Sequence, residues 1–546
     1  MARTPLLTKF QRLFEDFSEA EATGRTVGEV QHERLHRGPT RREIIKAGGA
    51  ALAAATVLGP ARLFGASAPR IAIVGGGIAG LTAALTLQDA GYASTIYEAA
   101  TRIGGRMHSN PTYWANGQVS EWCGELIDSN HHLILDLAQR FRLNVTDLIQ
   151  AQPNGSTDTL WFFDNYYPVT QADDDFSPVY KVLRQQLQAA PFPTLYNSFT
   201  AFGQMLDQMS LYQWIENYVP GGHASRLGAY LDTAYVNEYG LDSSQQSSLN
   251  LVYLLGFEPK PGNFSIYGKS DERYHIDGGN QQLPLAIAAS LPAESILTGW
   301  RMNAIALNPD GSYTLTFSTS GGTQIRVADR VILSLPFAVL RTLDYSKAGF
   351  DPLKKIAITQ LGYGTNSKLI LQFSERYWNT QGPWGIGDGN IYTDLPFQNT
   401  WESTRGYPGA TGVLVTFNGG SDGVALGQGV NTPYSTSDSS NTVHQDAQDA
   451  LKQLEQPWPG ISRFWNGKAT LSLPWKDPNL FGSYSCWKVG QYTLFSGYER
   501  MRQGKCHFAG EHCSINFQGF MEGGAEEGAR AVNMEILSDY KAGIFP

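Results

Sequence analysis

The run Ile71-Ala-Ile-Val-Gly75-Gly-Gly77-Ile-Ala-Gly80 decides the fold. Its four leading apolar residues predict a strand, its glycines a tight turn, and the apolar stretch that follows a helix. Gly75 permits the turn, Gly77 lets the backbone approach a pyrophosphate, and Gly80 lets helix and strand pack closely, with the helix N-terminus turned toward the phosphates. A second apolar run, Ser94-Thr-Ile-Tyr97, ends at Glu98, eighteen residues after Gly80, where a ribose-binding carboxylate belongs. The pattern predicts a βαβ-like dinucleotide-binding unit over 70–106 and an α/β fold. It leaves NAD and FAD open.

The rest of the composition narrows the partners. A chain of 546 residues has room for two to four domains. Its net charge of -9 and the lack of a basic stripe argue against nucleic acid as a partner. Cys123, Cys486, Cys506 and Cys513 lack metal-binding spacing, so neither a metal site nor a disulfide framework is expected. Twelve tryptophans point to thick apolar packing. Near the start, Thr40-Arg41-Arg42-Glu43-Ile44-Ile45-Lys46 and the small apolar run 47–58 resemble a twin-arginine export signal. The expectation is an exported or periplasmic protein, or a cytoplasmic one if the signal is vestigial. That apolar run is too short and alanine-rich for a stable membrane anchor. Pro69, after the cleavage-like Ala66-Ser-Ala68, should hinder processing, and Leu7, Phe10, Phe14 and Phe17 have helical spacing.

From Thr157 to Ser248 the sequence reads as mainly helical, an inserted subdomain. Strand alternation returns in 312–318, 324–328 and 330–335, a small meander feeding a sheet. The Gly, Ser, Asn and Asp-rich stretch 419–441 reads as a long surface loop.

Arg102-Ile-Gly104-Gly105-Arg106, with Phe508-Ala-Gly510-Glu511-His512 and Gly519-Phe520-Met521-Glu522-Gly523-Gly524, resembles the flavin amine oxidase family, and most of all its bacterial L-amino acid oxidases. The resemblance covers nearly all of 70–533. It implies a discontinuous Rossmann-like FAD-binding domain (69–125, 272–335 and 490–546), a mixed-sheet substrate domain (126–150 and 336–489), a helical subdomain (151–271) and the N-terminal segment 1–68. It also implies that Glu98 holds the adenosine ribose, Arg106 the pyrophosphate and Glu511 the ribitol and phosphates. Ile78, Ala79, Ala99, Gly105, Gly124, Glu125, Leu126 and the main chain at Met302 should border FAD. So should Gly519, Phe520 and the amides around Met521 and Glu522, at a helix start, where negative charge on a reduced flavin would be stabilised.

Gly364-Thr-Asn-Ser-Lys368-Leu-Ile-Leu-Gln-Phe373 resembles the family's lysine strand, which makes Lys368 the candidate catalytic side chain, holding a water near flavin N5 and favouring electron transfer to oxygen. By itself a lysine in a strand is more often a solvated edge charge. In Leu473-Pro-Trp475 to Gly482-Ser483-Tyr484, Ser483 stands where monoamine oxidases place the flavin-linking cysteine, so FAD is expected to be non-covalent. Tyr484 and Phe520 become the walls of an aromatic cage around the amine. The implied reaction is hydride transfer from a small-molecule amine or amino acid to FAD, with molecular oxygen as acceptor, releasing peroxide, ammonia and a 2-oxo acid. A homo-oligomer stays open, as does a monoamine or polyamine oxidase acting on amines without a carboxylate. Leu126 replaces the arginine that clamps the substrate carboxylate in typical L-amino acid oxidases. Trp401 replaces a carboxylate-binding tyrosine, leaving Gln398 or Arg405 to compensate, although a loop surface charge is the plainer reading of Arg405.

Overall fold

The structure is a computed structural model that describes residues 69–255 and 270–544. The twin-arginine-like stretch and the apolar spacing of Leu7 to Phe17 lie outside those residues. Two sheets organise the rest. The first is a five-stranded parallel sheet in the order Cys506–Phe508, Arg330–Leu333, Ile71–Val74, Thr95–Glu98, Ile296–Thr298. Its strands span almost the whole described sequence, because a parallel neighbour must return from a distant crossover. Ile71–Val74 is buried along its full length, as its unbroken apolar run requires.

The helix Ile78–Asp89 is buried on nearly every turn, sandwiched between this sheet and the C-terminal helix Met521–Arg530. Close approach explains its glycines. A Cβ on Gly80 would stand 2.0 Å from the Gly75 carbonyl oxygen, and one on Gly528 would stand 2.1 Å from the Ala79 oxygen. Tyr313–Thr319 and Gly322–Ala328 pair antiparallel as the alternation predicts, with Arg301–Leu307 as an unanticipated third strand, while Arg330–Leu333 belongs to the parallel sheet.

The second large sheet has eight strands, in the order Tyr434–Thr436, Trp465–Ser472, Ser367–Phe373, Gly412–Asn418, Asn399–Glu402, Gly387–Thr393, Thr157–Phe162, Asn165–Tyr166. It is antiparallel except where Gly387–Thr393 runs parallel to Thr157–Phe162. Two expectations are corrected here. Thr157–Phe162 is a strand of this sheet, so the helical insert starts later, with Val169–Ala189. The polar stretch 419–441 is no continuous loop, since it folds the helix Gly420–Leu426 and the strand Tyr434–Thr436.

The helical insert continues through Ala201–Asp207, Leu211–Tyr218, Arg226–Tyr239 and Leu249–Leu255. Ser210 and Gln213 close a capping box at the third of these five helices, and Gly240, left-handed at φ 68°, ends the fourth. No helix among the described residues is long and apolar enough to cross a membrane.

Candidate active site

One cavity of about 330 Å3 runs from the first glycine turn to the eight-stranded sheet. At one end lie Gly75, Gly77, Ile78 and Ala79, facing Gly104 and Gly105. The turns are tied together by a hydrogen bond from Gly104 N to Gly76 O at 2.8 Å. Gly75 has φ 113° and Gly105 φ 56°, and a Cβ on Gly105 would stand only 3.2 Å from Gly77 Cα. No side chain caps the helix at Gly77. Bare backbone and uncapped amides fit a pyrophosphate.

Glu98 accepts hydrogen bonds from Gly76 N at 2.6 Å and Ala100 N at 2.7 Å, leaving the outer lone pairs of its oxygens for ribose hydroxyls. Burial pushes its carboxyl above the usual range, against the pull of those amides. Ala99 and Met302 border the same end.

Arg106 and Glu511 meet across 405 residues of sequence, Nη1 to Oε1 at 2.8 Å. Glu511 also accepts from Ser485 N, Ser485 Oγ and Gly519 N. Burial opposes its charge, but Arg106, His512 and the Ser485 hydroxyl together hold the carboxyl below its ordinary range. With its oxygens spent in this way, Glu511 braces Arg106 and the Gly519 turn from behind. Arg106 keeps Nε and Nη2 for phosphate oxygens.

At the far end stands Lys368, in the strand Ser367–Phe373 with neighbours on both sides, Phe417 and Ser472. The position is interior, so the solvated-edge reading fails. Lys368 Nζ donates to Cys123 O at 2.7 Å and Glu125 Oε2 at 2.8 Å; the third acceptor, Glu121 O, is 3.5 Å away. That weak third bond leaves one N–H able to hold a water. Burial works against the Glu125 charge, yet Lys368 pulls its carboxyl below the ordinary value. Glu125 Oε1 is buried without a hydrogen bond of its own, and the Trp401 ring centre lies 5.2 Å from Lys368 Nζ.

Tyr484 and Phe520 both line the cavity, as do Gly519, Met521, Gly124, Leu126 and Trp401. Tyr484 reaches Asn237 O at 3.4 Å, and the His131 ring packs against Phe520 at 5.1 Å. Ser483 donates its hydroxyl to Asn366 Oδ1 at 2.6 Å.

Three predicted site residues stand off the cavity. Gly80 lies beneath the turn, in the packing role already given. Gln398 bridges Gly419 N at 2.7 Å and Asp422 Oδ2 at 2.9 Å, so it pins a chain reversal away from the cavity. Glu522 caps the helix His132–Arg140 by accepting from Leu133 N and Ile134 N, each at 2.8 Å, and burial raises it to about 7. Arg405 is not a surface charge, and it does not line the cavity. It is 8% exposed and donates to Asp388 O and Asn390 Oδ1.

Sequence reasoning passed over Asn280, a fully buried side chain whose Nδ2 donates to Gly124 O at 3.1 Å and Glu125 O at 2.6 Å, shaping the loop beside Lys368. The Gly278-Gly279-Asn280 turn was its one available signal. Glu238 and Glu272, which also line the cavity, carried no motif at all.

The model of the family described as flavin containing amine oxidoreductase matches residues 78–534. The chain belongs to that family. Among its relatives, a Bacillus subtilis (strain 168) protein named "Putative L-amino-acid oxidase YobN" is 25% identical over 84% of this chain and 93% of its own length. An L-amino-acid oxidase of Echis ocellatus is 23% identical over 85% of this chain and 88% of its own. The fold is similar to that of cyclohexylamine oxidase from Brevibacterium oxydans IH-35A, with a TM-score of 0.73, 19% identity, and 87% and 100% of the two chains covered. Putrescine oxidase bound to putrescine gives a TM-score of 0.71 at 17% identity, over 86% of this chain and 99% of that one. The chain is thus a flavin-dependent amine oxidoreductase, with the Rossmann-like fold of those oxidases.

Proposed function

We propose that the protein is an L-amino acid oxidase that binds FAD non-covalently and produces hydrogen peroxide. The observation that carries this reading is the placement of Lys368 in one cavity with the glycine cradle at one end and Tyr484 and Phe520 as walls. Similarity to L-amino-acid oxidases over most of the chain supports the amino acid. The serine at 483, tied to Asn366, supports the non-covalent cofactor.

When bound, FAD supplies the acceptor for a hydride equivalent and passes the electron pair to oxygen. The residues do the rest. Gly75, Gly77 and Gly105 would admit the pyrophosphate, Glu98 the ribose, and Arg106, braced by Glu511, the phosphate charge. Tyr484 and Phe520 exclude water and orient the C–H bond beside the substrate amine. Lys368 holds a positive charge and one water near the reacting centre, where negative charge develops as oxygen is reduced. The substrate ammonium must lose its proton first, and no dedicated base is assigned. The amine carbon loses two electrons and becomes an imine, which water hydrolyses to a 2-oxo acid and ammonia, while oxygen becomes peroxide.

A second reading, oxidation of an amine without a carboxylate, is favoured by Leu126 in the arginine position and by Arg405 being engaged with Asp388 and Asn390. The stretch Thr40 to Lys46 supports export of the folded, loaded protein. Peroxide release across the L-amino acids and their decarboxylated amines tests the substrate. Activity with amines alone overturns the amino acid reading. Yellow colour retained on acid-precipitated protein contradicts non-covalent binding.

A further inference from the structure

Most charges along the cavity are answered by the protein. Glu98 is held by two amides, Glu511 by Arg106, and Glu125 by Lys368. Arg301 is engaged by Asn479 Oδ1 at 2.6 Å. Glu238 and Glu272 differ: both line the cavity, and among the described residues neither carboxyl has a hydrogen bond or an ion pair. Their main chains are fixed. Glu238 sits at the end of the helix Arg226–Tyr239, one residue after the Asn237 carbonyl that receives Asn366 Nδ2 and the Tyr484 hydroxyl, which places it beside the cage wall. Glu272 is held in left-handed backbone, φ 45°, with its N–H on Asp128 Oδ1 at 2.9 Å. A non-glycine residue kept in that region indicates a position imposed by its surroundings.

Two acids without a cation are unfavourable in a closed space. Burial, with Asp128 adding to it, raises Glu238 to about 8, and burial with Glu238, Asp128 and Asp158 raises Glu272 well above the carboxylate range. Arg405 is the cation that opposes this at Glu272, and its hydrogen bonds go elsewhere. No group of three or more acids, histidines or cysteines able to hold a metal occurs among the described residues. The space therefore suits an organic cation.

We propose that Glu238 and Glu272 receive a second cationic group, an ammonium or guanidinium, carried by the substrate beyond the amine that is oxidised. The preferred substrates are then basic, whether or not they bear a carboxylate. This rests on the cavity being the amine-oxidising site.

Peroxide release by the holoenzyme with matched charged and uncharged pairs tests it: L-lysine against L-norleucine, and L-arginine against its isostere L-citrulline, with cadaverine and agmatine showing whether the carboxylate matters. The cationic member of each pair should have the higher kcat/KM by roughly 10- to 100-fold, the worth of a charge-assisted bond. Glu238→Gln and Glu272→Gln should each shrink that ratio, chiefly through KM. Equal rates within each wild-type pair, or ratios unmoved in both variants, would overturn the assignment. Should no L-amino acid or amine of the wider panel be oxidised, the oxidase reading fails by itself. Thermal stabilisation by L-arginine but not L-citrulline would then still support the acid pair, and its absence would sink it.

Discussion

The end of the cavity that we assign to the cofactor and the end that we assign to the substrate are built by opposite strategies. At the first, recognition is done by backbone: glycine turns, an uncapped helix start and main-chain amides on Glu98, with Arg106 and Glu511 paired behind them. At the second it is done by side chains gathered from a helix end, a strand interior and a loop, with two carboxyls left unanswered. A backbone cradle is little altered by exchanging one side chain for another. Side-chain charge can be changed one residue at a time, and substrate choice depends on it.

The largest effect should come from disturbing the backbone end. Gly80→Ala places a Cβ against the Gly75 carbonyl and should cost more than about 3 kcal/mol, with flavin lost from the purified protein. Parent-level flavin absorbance per chain would refute that. Next, Lys368→Met should slow reoxidation by oxygen about 100-fold, the scale of one lost electrostatic contact, and slow anaerobic reduction less. Stopped-flow traces with equal slowing of both would remove the lysine from the oxygen step.

A smaller effect follows from pH. In the empty cavity Glu238 keeps its proton up to about 8, so attraction for a distal cation should grow, and KM for L-arginine fall, as pH rises through that value. Asp128, Glu272, Tyr239 and Tyr484 share its surroundings, so the comparison needed is with Glu238→Gln, whose KM should lose that component. The folded state holds this proton where the unfolded glutamate would release it, so stability from this group falls as pH rises from the ordinary glutamate value to about 8 and stays lost above it. The smallest effect belongs to Gln398→Ala: about 1 kcal/mol of stability, read from the denaturation midpoint, with the arginine-to-citrulline ratio unmoved. A changed ratio would return Gln398 to the substrate site.

The same division explains what could be read from the sequence. Gly75, Gly77, Glu98, Gly105 and Arg106 announce themselves because a phosphate-binding backbone needs glycine at fixed spacing. Lys368 and Tyr484 were legible only through resemblance to family motifs. Glu238 was not legible, because a glutamate near a helix end has no local signature, and only tertiary packing turns it toward a cavity. That Gln398 and Arg405 lie off the cavity was hidden for the same reason: the sequence shows which residues are polar, not where packing places them. Glu522 was placed correctly at a helix start, but its side chain serves the neighbouring helix.

The parallel sheet also sets an order of events. Its central strand is Ile71–Val74 and its edge strand Cys506–Phe508, and the Arg106 to Glu511 pair cannot form until the last tenth of the chain is available. A growing polypeptide would therefore hold only half a grip on the cofactor. Flavin retention becomes a test of completeness: chains truncated before Glu511 should emerge colourless, and loading must wait until Glu511 has been made.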